Sequence, residues 1–179
     1  MPLYTLILEY LESIGEHKLN FYGARNAAGT ITLPSPDHRS MILPPRGKRC
    51  LKFKLDTRTY SCTTSHIPNS LIQFYEPGTD PKENQTSTGV ITAVFEVPLD
   101  NILRIFVVLH RFRRVHNQFY ADHPKMMCAI VESEPEPNGM VVEPRQIITH
   151  LSAWKRPASV YRTNGPVLKV CWALNRGRR

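Results

Sequence analysis

Leu51, Phe53 and Leu55 alternate with Lys52, Lys54 and Asp56, and this period of two restricts the chain more than any other pattern in it. Only an extended strand sends successive side chains to opposite faces, so residues 50–60 read as a strand with one side in a core and one in water. The wet side is basic. Residues 70–76, 89–97 and 126–132 repeat the apolar, β-branched character of strands. Asn138-Gly139 between apolar runs signals a hairpin after the acidic, proline-rich turn 133–137, and Asn164-Gly165-Pro166 signals a closing hairpin between residues 160–163 and 167–174.

Helical spacing appears in three places. Leu3, Leu6, Ile7, Tyr10, Leu11 and Ile14 predict a short helix over 2–14, stopped by Gly15, although Tyr4, Leu6, Leu8 and Tyr10 also alternate as a strand would. Asp100 is a good N-cap for a helix over 100–120, with Ile102, Ile105, Val108, Leu109, Phe112, Val115 and Phe119 as its apolar stripe. Its second half would surface as a basic tip carrying Arg111, Arg113 and Arg114. Ile147, Ile148, Leu151 and Trp154 predict a third helix over 144–154, ended by Pro157.

Strands interspersed with about three helices, without regular strand-helix alternation, define an α+β class with a mostly antiparallel β-sheet. No internal period recurs and no composition shift divides the chain, so a single domain is expected over 1–174, followed by a short basic C-terminal tail at 175–179. A chain of 179 residues buries roughly 70% of its unfolded surface, and 41% hydrophobic content supplies an ordinary core. The stretches 23–47 and 77–88 are rich in proline and turn formers and read as loops.

Charge is the main guide to function. The 23 Lys and Arg exceed the 15 Asp and Glu by eight, a field that attracts RNA, another polyanion or an anionic membrane surface. The excess gathers in three clusters: Arg46, Lys48, Arg49, Lys52 and Lys54; Arg111, Arg113 and Arg114; and Arg176, Arg178 and Arg179. The first two are the candidate nucleic-acid-binding residues, because Lys and Arg neutralise phosphates and release counterions. Phe112, Tyr60, Tyr161 and Trp172 are candidate aromatics for stacking unpaired bases, while periodicity also places Phe112 and Trp172 in the core. Residues 45–54 have the composition of a short nuclear-import segment.

Catalytic patterns are missing. There is no glycine-rich phosphate loop and no Gly-x-Ser-x-Gly, and Glu132, Glu134 and Glu136 sit in a solvated loop, so no catalytic residue and no cofactor are expected. Cys62, His66, His123 and Cys128 form a possible tetrahedral zinc set, at spacings that match no zinc finger; His116 lies nearby in the chain. Cys50, Cys62, Cys128 and Cys171 lack any Cys-x-x-Cys, and residues 1–14 lack a signal-peptide pattern, with Glu9 and Glu12 inside them. Reduced thiols in the cytoplasm, or the nucleus, are therefore expected, and Asn84-Gln85-Thr86 is a chance sequon. The longest apolar run, near 105–109, is far below the ~20 residues of a transmembrane helix.

This profile of a small basic α+β chain with proline-rich loops is similar to small viral matrix, coat or silencing-suppressor proteins. The expected function is non-enzymatic binding of RNA or another polyanion. A self-associating viral-type structural protein that meets membrane or nucleoprotein is the alternative, with the stretch 31–45 as an arm docking into a second copy. A zinc-dependent module is a further one.

Overall fold

The structure is a computed structural model and describes residues 3–15, 47–78, 85–99, 102–115 and 128–172. The helical spacing near the N-terminus gives α1 (Leu3–Ser13), which buries Leu6, Ile7, Leu8, Tyr10 and Leu11. Nearly everything else is strand: β1 (Lys48–Cys50), β2 (Lys52–Leu55), β3 (Arg58–Ser61), β4 (Leu71–Tyr75), β5 (Thr86–Leu99), β6 (Ile102–Arg111), β7 (Cys128–Glu132), β8 (Gly139–Val142), β9 (Ile147–Arg156) and β10 (Val167–Trp172). A four-residue helical turn, α2 (Ala158–Tyr161), links β9 to β10. Among the described residues no helix is long and apolar enough to cross a membrane.

Seven strands lie in the order β7-β10-β9-β4-β5-β6-β8, every pairing antiparallel, while β1 takes up the edge of β5 beyond the end of β4. The sheet curls. Arg114, just past β6, bridges Val131 of β7, and Val115 N–H donates to the Ile130 carbonyl at 3.0 Å, so strands far apart in the order meet. The concave side holds one core of Val90, Phe112, Val131, Leu151 and Val170, and another where α1 packs on Val97, Phe106, Val108 and Val141. The convex side is capped by the β2–β3 hairpin, whose Phe53 and Tyr60 cover Ile72, Phe74, Ile91, Val107 and Leu109.

Glu143 fastens these layers. Its carboxylate accepts from Tyr10 Oη at 3.2 Å, from Arg104 Nε at 2.7 Å and from Arg145 Nε at 2.9 Å, tying α1, β6 and the chain before β9 together. Burial, then the neighbouring Glu143 charge, pushes the Tyr10 hydroxyl up to about 12.

Several sequence expectations are corrected. The helix expected over 100–120 is β6 in its described part, because Phe106 and Val108 fill one core and Val107 and Leu109 the other. A strand buried on both faces is a continuous apolar run, and such a run contains helical spacings as a subset. The helix expected over 144–154 is one 3-10 turn followed by β9, where Ile147 is buried under the hairpin, Leu151 is buried in the concave core and Trp154 is 54% exposed. Residues 160–163 are not a strand: α2 takes the first two, Arg162 caps it in the left-handed region, and β10 pairs with β9 and β7 instead. The Asn138-Gly139 turn does not close a hairpin either, since β7 and β8 lie at opposite ends of the strand order.

The single strand expected over 50–60 is a hairpin, turned at Asp56, whose φ of 53° puts it in the left-handed region that Asp tolerates. Leu51 falls in the break between β1 and β2 and is 58% exposed rather than buried.

Candidate nucleic-acid interface

The alternation of β2 settles which side of the hairpin is wet. Phe53 stacks on Tyr60 with ring centroids 5.4 Å apart, and Tyr60 stacks on His150 of β9 at 4.0 Å. Arg58 Nη1 donates to Thr149 Oγ1 at 2.8 Å, which fixes the turn end of the hairpin. With that side locked, Lys52 and Lys54 project together into solvent, and among the described residues neither has an ion-pair partner.

Lys48 and Arg49 on β1 are exposed, but their side chains leave opposite faces of the sheet. Lys48 pairs with Glu96 at 3.1 Å, and that hydrogen bond holds the Lys48 ammonium above its usual range and the Glu96 carboxyl below its own. Arg46 lies outside the described residues, as do Arg176, Arg178 and Arg179.

The second cluster is largely neutralised from within. Arg111 Nε reaches Glu136 Oε2 at 2.9 Å and its Nη1 reaches Glu76 Oε1 at 2.9 Å, while Ser87 Oγ donates to the same Glu76 oxygen. Those bonds raise the Arg111 pKa, and the bond from Arg111 lowers that of Glu136. Arg113 stands 3.6 Å from Glu136 and 4.0 Å from Glu132, and Arg114 is exposed beside the bridge to β7. None of the three is on a helix tip: Arg111 ends β6, and residues 112–115 are not helical.

Register answers whether the clusters share a face. Arg111 opposes Gly89, Gly89 opposes Ile72, and Ile72 opposes His150, so the side chains of Arg111, Ile72 and His150 leave the sheet on one side. The hairpin stacks on His150 from that side. Arg111 therefore flanks the hairpin on the convex surface.

The same surface continues onto residues that the sequence reading did not single out. Trp154 of β9 lies directly across from Lys169 of β10, with exposed Arg156 two residues further along the same side. Reading 144–154 as helix had placed Trp154 on an apolar stripe; strand alternation sends it outward instead. Of the aromatics that were singled out, Tyr60 and Phe112 are core, Tyr161 is half-buried on α2, and Trp172 is 46% exposed rather than core.

On the concave side, the end of the curl near Arg111 opens into a cavity of about 830 Å³. Phe112, Val131, Leu151 and Val170 form its floor, and Trp172, Gln73 and Arg113 stand at its rim. The zinc set is not assembled among the described residues. Cys62 is buried with its thiol 3.4 Å from the Leu51 carbonyl, His66 is exposed, and His116, His123 and the side chain of Cys128 lie outside them.

These features define an α+β protein on a curled antiparallel sheet with a cationic convex surface. Comparison with known protein families, with curated proteins and with solved structures yields no match.

Proposed function

We propose that the chain is a non-enzymatic binding protein for single-stranded RNA or a comparable polyanion. The observation that carries this reading is the pair Lys52 and Lys54, held side by side in solvent by a hairpin whose other face is locked onto the sheet. Arg156, Lys169 and the exposed indole of Trp154 extend the same convex surface with two more cations and a stacking platform. Arg111 contributes less, because two carboxylates already occupy its guanidinium.

Fluorescence anisotropy of a labelled oligouridylate across a salt series tests the reading. Contacts from the four cations should make log affinity fall with log salt at a slope of about −2.8, and Lys52→Glu with Lys54→Glu should bring it to about −1.4 or lower in magnitude. A flat salt response, or a double variant that binds as wild type, overturns it.

Self-association is favoured as a second reading by one observation, the exposure of the large aliphatics Ile102 and Leu103 where β6 begins. The arm proposed over 31–45 lies outside the described residues. Light scattering over a concentration series should show mass rising with concentration, and Leu103→Ser should suppress it; constant monomer mass removes this reading.

A further inference from the structure

The cavity at the end of the curl has an architecture distinct from the convex surface. Its floor is apolar and its rim polar, and its volume of about 830 Å³ lies in the range of small-ligand sites, roughly 300–1,000 Å³. At the rim, the Trp172 indole N–H donates to Gln73 Oε1, and Gln73 Nε2 donates in turn to Thr86 Oγ1 at 3.2 Å. The indole is thus held by its edge through a two-bond relay while nearly half its surface stays in water. Leaving a large aromatic surface wet is unfavourable, and fixing its orientation costs side-chain entropy as well. An anchored, exposed indole is a preformed stacking platform.

The charges around it are suited to an anion. Arg113 and Arg114 line the cavity, and at its outer edge Arg111, whose side chain leaves β6 on the convex side, spans the carboxylates of Glu76 and Glu136. Arg113 touches Glu136 and Glu132 only at 3.6 and 4.0 Å, and 66% of its side chain is solvent-exposed, so its guanidinium keeps donors for another acceptor. Thr86 and Thr88, on one face of β5, add hydroxyls to the cavity lining.

We propose that this cavity binds a nucleotide, with the base stacked on Trp172 and the phosphate on Arg113. The ligand chemistry is a flat heteroaromatic ring joined to a phosphate, whether as a free mononucleotide or as the terminal residue of a single strand. The site is independent of the Lys52 and Lys54 surface and stands or falls separately from it.

The chain has two tryptophans, so Trp154→Phe leaves Trp172 as its sole indole reporter. In that protein AMP should quench the emission saturably, and ribose 5-phosphate should neither quench nor compete. Adenosine should bind several-fold more weakly than AMP, and Arg113→Ala should bring AMP down to the adenosine level. By calorimetry, Trp172→Ala should weaken AMP by about fivefold or more. Gln73→Leu, which frees the indole edge while keeping the ring, should weaken it too, with far-UV circular dichroism confirming the fold of each variant.

Lys52→Glu with Lys54→Glu should leave AMP binding unchanged, which separates this site from the convex one. A 5′-phosphorylated oligouridylate that competes with AMP assigns the site to strand ends, and one that does not assigns it to the free nucleotide; both outcomes support the cavity. Absence of saturable quenching by AMP, equal binding of ribose 5-phosphate, or full AMP affinity in folded Arg113→Ala overturns it.

Discussion

His150 is where a single side chain sets a pH response. Its ring stacks on Tyr60, and its Nε2 is buried with no hydrogen-bond partner among the described residues. Burial first, and the Arg58 charge second, hold its pKa below the ordinary 6.5. As pH falls through 6.5 the unfolded chain takes up a proton that the folded ring still refuses, so the unfolded state binds more protons and folding weakens. Melting temperature should therefore drop between pH 7 and pH 5, before carboxylates such as Glu136 begin to titrate. His150→Phe, which keeps a ring against Tyr60, should flatten that drop in a calorimetric series; an unchanged slope would assign the response to other groups. Nothing in the chain near His150 advertised this role. It arises from Tyr60, ninety residues away in sequence, and a period misread as helical put the ring on the wrong kind of element.

At the scale of elements, legibility followed the length of each apolar run. The N-terminal helix was readable from its helical spacing, and the strands near 70–76, 89–97 and 126–132 from short apolar, β-branched runs. Strand β6 was not, since both of its faces are core and its apolar run carries no period to read. Basic residues were legible as a composition, and Lys52 and Lys54 as a pair, but the partners of Arg111 come from β4's end and from the 133–138 loop. Spacing cannot announce such partners.

Gly89 shows the same limit with a measurable consequence. Strand propensity favours alanine over glycine, yet a β-carbon at this position of β5 would stand 3.0 Å from both Leu109 Cδ1 and Phe74 Cε1, and 3.1 Å from the His110 carbonyl. Gly89→Ala should lower stability by roughly 1–3 kcal/mol through overpacking. Urea denaturation checks the sign, and a variant at or above wild-type stability would show that β4, β5 and β6 can shift to admit it.

For the whole molecule, the connection between β7 and β8 has a geometric effect beyond its failure to make a hairpin. These strands end the seven-strand order, so a flat version of the sheet would set them six spacings apart, about 29 Å at ~4.8 Å each. The chain from Glu132 to Gly139 is seven residue steps, which reach about 25 Å at full extension. The tether is shorter than the flat sheet is wide. It works as a bowstring across an arc, so the curvature that forms the cavity and turns the cations outward is enforced by covalent length, not by packing alone. Cutting the string should let the arc relax: after limited cleavage at Glu134 by a glutamate-specific protease in a Pro135→Ser variant, which makes that bond cleavable, amide exchange should accelerate at Val115 and Glu132, whose N–H groups close the curl. Protection that survives the cut would mean that the packed concave core holds the bend unaided.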